Sequence, residues 1–295
     1  MKNNRGFLLL SLVAVLSVVA STLIFSYSSR WLFSLQQAQL ELRMQSLLDA
    51  KKRLLAFAVL QPERYLTDTS GVFQSADEQP SPGYFPCVDL DANGLLTDSE
   101  TRCGKMFSGS ADSGFAPDPD RISCSRSPCV GFLPGRIVSR HYYFSETARF
   151  YYFVDERFVH SNPNYSNQQL YRFAPIAPSV MDTAKGGREP VLVINGRSGY
   201  VALLIDPGTD GLNEENRDGD SVFVQGSQSE SALQDLVVGI HWSELAKWLE
   251  SRLCAEKEKY IAAMSLESGD GRHWFREYDQ VVNPLGANGF EWSCP

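Results

Sequence analysis

Residues 7–25 read FLLLSLVAVLSVVASTLIF, and residues 34–60 read SLQQAQLELRMQSLLDAKKRLLAFAVL. The first stretch holds nineteen residues and no charge. A helix needs about 20 predominantly apolar residues to cross a hydrocarbon core of roughly 30 Å, so the run reaches the required length. Ser11, Ser17, Ser21 and Thr22 dilute it, but such hydroxyls return their hydrogen bonds to the helix backbone. Lys2 and Arg5 precede the run, which keeps the amino terminus cytoplasmic under the positive-inside tendency. A cleaved signal peptide would instead want an apolar core of about 7 to 15 residues followed by a small-x-small site. Here the core is longer, and Tyr27, Trp31 and Phe33 follow where interfacial aromatics lie. The run is read as an anchor.

The second stretch contains neither Gly nor Pro and is rich in strong helix formers. Leu40, Met44, Leu47, Leu48, Leu54, Leu55 and Ala58 recur at helical spacing, with Glu41, Arg43, Asp49, Lys51 and Lys52 mostly elsewhere. Pro62 ends the pattern. The spacing therefore predicts one long helix, apolar all round first and amphipathic second. Its second half needs a partner for its apolar stripe.

Downstream, residues 61–135 are rich in Pro, Gly, Ser, Asp and Cys, the mark of an irregular, stapled region. Aromatic strand signals follow at residues 141–144 and 149–154, flanking Ser145-Glu146-Thr147 as a turn. Residues 190–195 and 200–205 flank Gly196-Arg197-Ser198-Gly199, a hairpin signal, and residues 221–225 and 236–240 add two strands. From Ser243, read as an N-cap, a second helix places Leu245, Trp248, Leu249 and Leu253 on related positions. The expected class is α+β: a long amino-terminal transmembrane and amphipathic helix packed on an antiparallel sheet, with disulfide-stapled loops. The organisation expected is a basic leader over residues 1–6, the helix over 7–60 and one globular domain over 61–295.

At 43% hydrophobic and 21% charged, the 295-residue chain is that of a folded protein rather than a disordered one. A formal charge of -8 lacks the basic footprint that grips phosphate backbones, so no nucleic acid partner is expected. Six cysteines suit an oxidising compartment: Cys87, Cys103, Cys124, Cys129, Cys254 and Cys294. None forms C-x-x-C, and His141, His160, His241 and His273 are scattered, which argues against zinc. Six cysteines allow fifteen pairings. Joining nearest neighbours would pair Cys87 with Cys103, Cys124 with Cys129 and Cys254 with Cys294. No G-x-S-x-G, H-E-x-x-H or P-loop is present, so no enzyme is expected.

One local pattern points to a cation. Asp89, Asp91, Asn93, Gly94 and Glu100 fit D-x-[DN]-x-[DN]-G-x₅-E, the calcium-loop pattern. Asp89, Asp91 and Asn93 would supply hard oxygens, Leu95 its carbonyl, Thr97 a direct or water-mediated contact and Glu100 a bidentate carboxylate. Pro86 and Cys87 stand where an entering EF-hand helix would be, so the unit is a bare loop. The competing reading is a solvated Asx-rich turn beside a disulfide. A second acidic stretch, DPGTDGLNEENRDGD over residues 206–220, fits no ligand template and reads as a charged loop with Asp-Gly turns.

The leader ending in Gly6, Phe7 and a hydrophobic helix running into an amphipathic one resemble the type IV pilin and type II secretion pseudopilin superfamily. In that family a prepilin peptidase cuts after the glycine, and Arg5-Gly6-Phe7 matches the junction. Ser11 stands where the family carries a glutamate. The helix end AKKRLLAFA (residues 50–58) is similar to that of a group of pilin-like proteins. So are Phe85-Pro86-Cys87-Val88-Asp89-Leu90-Asp91, Cys103-Gly104, Gly131-Phe132-Leu133-Pro134 and the run from Asp235 to Leu245. The resemblance implies a minor pilin-like or pseudopilin-like subunit that assembles, primes or decorates a filament. It implies an inner-membrane, single-pass chain with a periplasmic domain, and other pilin or pseudopilin subunits and prepilin peptidase as partners. A carboxy-terminal disulfide loop also resembles one that many pilins carry. The alternative is a membrane-anchored periplasmic ligand-binding or sensing module, with calcium the only cofactor raised.

Overall fold

The computed structural model describes residues 5–60, 82–90, 92, 94, 106–108, 115–117, 128–138, 150–159, 176, 178–181, 183–185, 187–208, 211–217, 221–225, 235–264 and 292–294. The chain divides into two compact units, Met1–Gln45 and Ser46–Pro295. Helix α1, Arg5–Leu60, runs for 56 residues without a break. In the first unit its described side chains include Leu12, Val13, Val15, Leu16, Val18 and Val19, all 48–62% exposed. Ser17, Ser21 and Thr22 donate their hydroxyls to carbonyls three or four residues back, as expected for hydroxyls in an apolar helix. Among the described residues no helix is long and apolar enough to cross a membrane. The side chains at both ends of the expected span, residues 7–11 and 23–25, lie outside the described residues.

The second unit is α+β. Its main sheet has six strands: β3 (Cys129–Phe132), β4 (Tyr151–Val154), β5 (Leu192–Ile194), β6 (Arg197–Asp206), β7 (Val222–Phe223) and β8 (Leu236–His241). β1 (Met106–Ser108) and β2 (Phe115–Pro117) form a separate antiparallel ribbon. The central strand is β6. Residues 202–205 pair with β4 on one edge and with β8 on the other. Tyr200 pairs with Leu192 of β5 and His241 of β8, so β5 and β4 succeed one another along a single edge. β3 then adds to β4, and β7 to β5.

The antiparallel expectation needs one correction, because β5 and β7 are parallel. Asn195 is also part of the tight turn: Asn195 and Gly196 have φ of 49° and 74°. Paired left-handed residues make the turn whose twist matches that of the flanking strands, so β6 starts at Arg197 rather than beyond Gly199. The region read as irregular up to residue 135 contains the β1–β2 ribbon, β3 and the start of a short helix, α2 (Gly135–Val138). The strand expected at residues 141–144 and the turn at 145–147 lie outside the described residues.

Residues 201–205 of β6 are at most 1% exposed, so both faces of the strand are covered. One face carries Val130, Phe153, Leu192, Ile194, Leu203, Ile205 and Val237, closed by Leu212 and Phe223. Phe153 and Phe223 meet edge-on at 4.5 Å between centroids. By strand alternation the other face carries Tyr152, Val154, Ala202 and Leu204. The Tyr152 hydroxyl there donates to the Pro86 carbonyl, and burial holds its pKa well above the ordinary value.

The helix α4 (Trp242–Met264) lies against β6 and β8. Leu47, Leu54 and Ala58 of α1, and Leu245, Leu249 and Leu253 of α4, are all fully buried. Lys51 pairs with Glu244 at 2.7 Å, and Arg252 donates to the carbonyl of Val59. Both partners of the second contact lie eight residues beyond those of the first, so these turns of α1 and α4 run side by side in the same direction. Two apolar positions fall outside the expected stripes. Leu48 is 40% exposed and Trp248 57% exposed, each on the flank of a face defined by neighbours three or four residues apart.

Truncating Leu54 to Ala should destabilise the domain by about 3 kcal/mol, since it leaves a cavity in a fully buried site. Trp248→Ala should stay within about 1 kcal/mol. Chemical denaturation of the two variants in parallel would check the difference.

Candidate functional site

Arg5, Gly6 and Phe7 fall in the first turn of α1, and their side chains are outside the described residues. Of the six candidate calcium ligands, Asp89 is described, whereas Asp91, Asn93, Leu95, Thr97 and Glu100 lie outside the described residues. Asp89 is fully buried, and its backbone pairs with Phe132, which fastens the loop to the edge of β3. Its Oδ1 accepts from the N–H of Ala92 at 2.7 Å and its Oδ2 from the N–H of Gly94 at 2.6 Å. Ala92 and Gly94 both take left-handed backbone, at φ of 60° and 81°. The chain thus winds around its own carboxylate, which is the geometry of an Asx-stabilised turn. Asp89 and the left-handed glycine are compatible with either reading of the loop.

Among the described residues no group of three or more His, Cys, Asp or Glu side chains could hold a metal ion. The acidic stretch at residues 206–220 is partly described and is organised around structure. Asp206 Oδ1 accepts from the N–H of Gly208. Beyond it a single helical turn, α3 (Glu214–Arg217), presents Asn216, which is 2% exposed. Its amide donates to the Val224 carbonyl and to Asp235 Oδ2 at 2.7 Å, and its oxygen accepts from the N–H of Val224. Asp235, fully buried immediately before β8, also accepts from the N–H of Asn213. Burial, and then the Asp235 carboxylate, push the Tyr151 phenol up, with Arg217 opposing. These carboxylates splice a loop to the sheet.

A second buried polar cluster escaped the sequence reading altogether. Asp155, Glu156 and Arg157 follow β4 and are 0%, 2% and 9% exposed. Asp155 accepts from Nε and Nη2 of Arg157, each at 3.0 Å, and from the backbone N–H groups of Arg157 and Val191. Arg157 Nη1 donates to the carbonyls of Val180 and Arg188, both at 2.7 Å. Arg188 in turn pairs with Glu156. The available signal was three adjacent charged residues directly after a strand with no polar break. Charges so placed are buried with the strand end and must neutralise one another.

Cys254 and Cys294 form a disulfide, as nearest-neighbour pairing anticipates. Cys87 and Cys129 are also disulfide-bonded, with partners outside the described residues. Near the carboxy-terminal bridge, Trp292 is buried, donates Nε1–H to the Ile176 carbonyl and lies 6.1 Å from Trp242, itself 5.6 Å from Phe158.

Comparison with family models, curated proteins and solved structures finds no match to this chain.

The buried Asp155 cluster and the partly exposed Lys51–Glu244 pair make contrasting predictions. Asp155→Ala strands the Arg157 guanidinium in the interior and should cost about 3 to 5 kcal/mol. Lys51→Ala, at the partly exposed pair with Glu244, should cost about 1 kcal/mol or less. Urea unfolding of both variants tests the ranking. Comparable losses would mean that the Asp155 cluster is not the clamp its geometry describes.

Proposed function

We propose that this chain is a minor pilin-like or pseudopilin-like subunit that serves assembly, priming or decoration of a type IV pilus or type II secretion pseudopilus. The observation that carries the reading is α1. One unbroken helix includes the Arg5-Gly6-Phe7 junction, exposes apolar side chains over residues 12–19 and buries its last turns in an α+β domain. An apolar surface on most sides of a helix calls for an apolar surrounding, which lipid or the matching helices of other subunits supply. The disulfide from α4 to Cys294 adds to the likeness, as does the run from Asp235 to Leu245, which forms a last strand entering a helix. On this reading the partners are prepilin peptidase and other pilin or pseudopilin subunits, and the chain sits in the inner membrane with its domain in the periplasm.

Co-expression with a prepilin peptidase should yield a chain that begins at Phe7, measured by intact mass. Replacing Gly6 with a bulky residue should block the cut. Persistence of the unshortened native chain in the presence of an active peptidase would sink the filament reading.

A second reading rests on the loop at Asp89, where a left-handed Gly94 occupies the turn position of a calcium loop. It makes the domain a membrane-anchored ligand-binding or sensing module that depends on calcium. Chelation should then lower the melting temperature of the native chain and leave an Asp89→Ala variant unmoved. A melting temperature indifferent to chelator and to added calcium would leave the turn alone.

A further inference from the structure

β8 ends at His241 and α4 begins at Trp242, with no intervening residue. The first N–H groups of a helix have no acceptor within the helix, and the preceding side chain commonly supplies one. Ser, Thr, Asp and Asn are favoured there because their oxygens accept throughout the neutral range. Ser243 was the expected cap, yet the structure gives that role to an imidazole. His241 Nδ1 lies 3.2 Å from the backbone nitrogen of Ser243 and 2.8 Å from its hydroxyl. A backbone N–H can only donate, so Nδ1 must carry the lone pair and the ring proton must sit on Nε2.

We propose that His241 is a proton-sensitive latch on the β8–α4 junction, which closes the first turn of α4 when the ring is neutral and releases it when the ring is protonated. A proton on Nδ1 removes the acceptor of the Ser243 backbone N–H and turns a donor toward it, and the ring then donates to the Ser243 hydroxyl instead. The proton also places a positive charge at the positive end of the helix dipole. Histidine is the side chain whose charge ordinarily changes between about pH 5 and 8.

Strand β6 closes one side of the ring. A Cβ on Gly199, across the β6–β8 pair, would lie 2.4 Å from Nε2. The Tyr200 ring stands at 90° to the imidazole with centroids 5.4 Å apart. From β6 the imidazole thus meets a phenol and a bare backbone. From α4 it meets the Ser243 hydroxyl, with Glu244 the next residue. That carboxylate would favour the protonated ring, but Lys51 of α1 engages it at 2.7 Å. The same link extends the consequence, because loosening the first turn of α4 frees Glu244 from Lys51.

Hydrogen exchange on the purified full-length chain, corrected for intrinsic rates, tests the latch. Protection of the amides at residues 243–245 should fall about fivefold between pH 8 and pH 5, the worth of an ordinary N-cap. Protection in β4 and β6 should hold over that range. The variant His241→Asn, whose amide oxygen accepts at either pH, should keep the first turn equally protected at both, and His241→Asp serves if the Asn form folds poorly. Unchanged protection in the native chain would overturn the proposal. So would a parallel fall in the Asn or Asp variant, or a fall shared by β4 and β6, which would be general acid destabilisation.

Discussion

A strand covered on both faces and bonded along both edges leaves its surroundings few choices, and β6 is such a strand. Residues 201–205 read VALLI and are nearly inaccessible, so each face needs its own apolar layer. On one side that layer comes from β7 and the loop after β6, as Phe223 and Leu212 join the cluster of Phe153 and Leu203. The other side is left to the helices, and the fully buried leucines of α1 and α4 fit that demand. Edge occupancy is set by the same strand. Its ten residues are long enough for β5 and β4 to share one edge while β8 takes the other.

Where apolar packing stops, buried charge takes over. The end of β4 runs into Asp155, Glu156 and Arg157, and Asp235 immediately precedes β8. Both sites lie where a strand leaves the core and backbone groups need partners away from water. Asp155 and Arg157 satisfy the backbone of segments far along the chain: the N–H of Val191 and the carbonyls of Val180 and Arg188. Asp235 and Asn216 do the same for Asn213 and Val224. Loops that periodicity cannot place are held by carboxylates.

The elements legible in the sequence were those governed by a local period. α1, the β5–β6 hairpin, β8 and α4 follow from apolar spacing and from the glycines at 196 and 199, all of which act within a few residues, although the turn itself falls at Asn195-Gly196. The parallel pairing of β5 with β7 was not legible, because nothing local marks a contact between Val193 and Val222. The cap of α4 was misplaced for another reason. Ser243 has the better intrinsic propensity, but His241 sits where the strand geometry ends and already points at the open N–H. Of the candidate calcium loop, the described part shows why sequence alone leaves two readings. Asp89 and Gly94 do the same work in a plain Asx turn as in a cation loop.

The clamp at Asp155 also shapes how this protein can diverge. Four charged residues, three of them consecutive in sequence and one more than thirty residues away, answer to a single balance. Losing Asp155 leaves the buried Arg157 charge without its complement, at a cost of about 3 to 5 kcal/mol, a large share of the roughly 5 to 15 kcal/mol that holds a typical domain together. Drift at Asp155, Glu156, Arg157 and Arg188 therefore has to be concerted. The exposed flanks, such as those bearing Leu48 and Trp248, are under no such bond and are free to change one residue at a time.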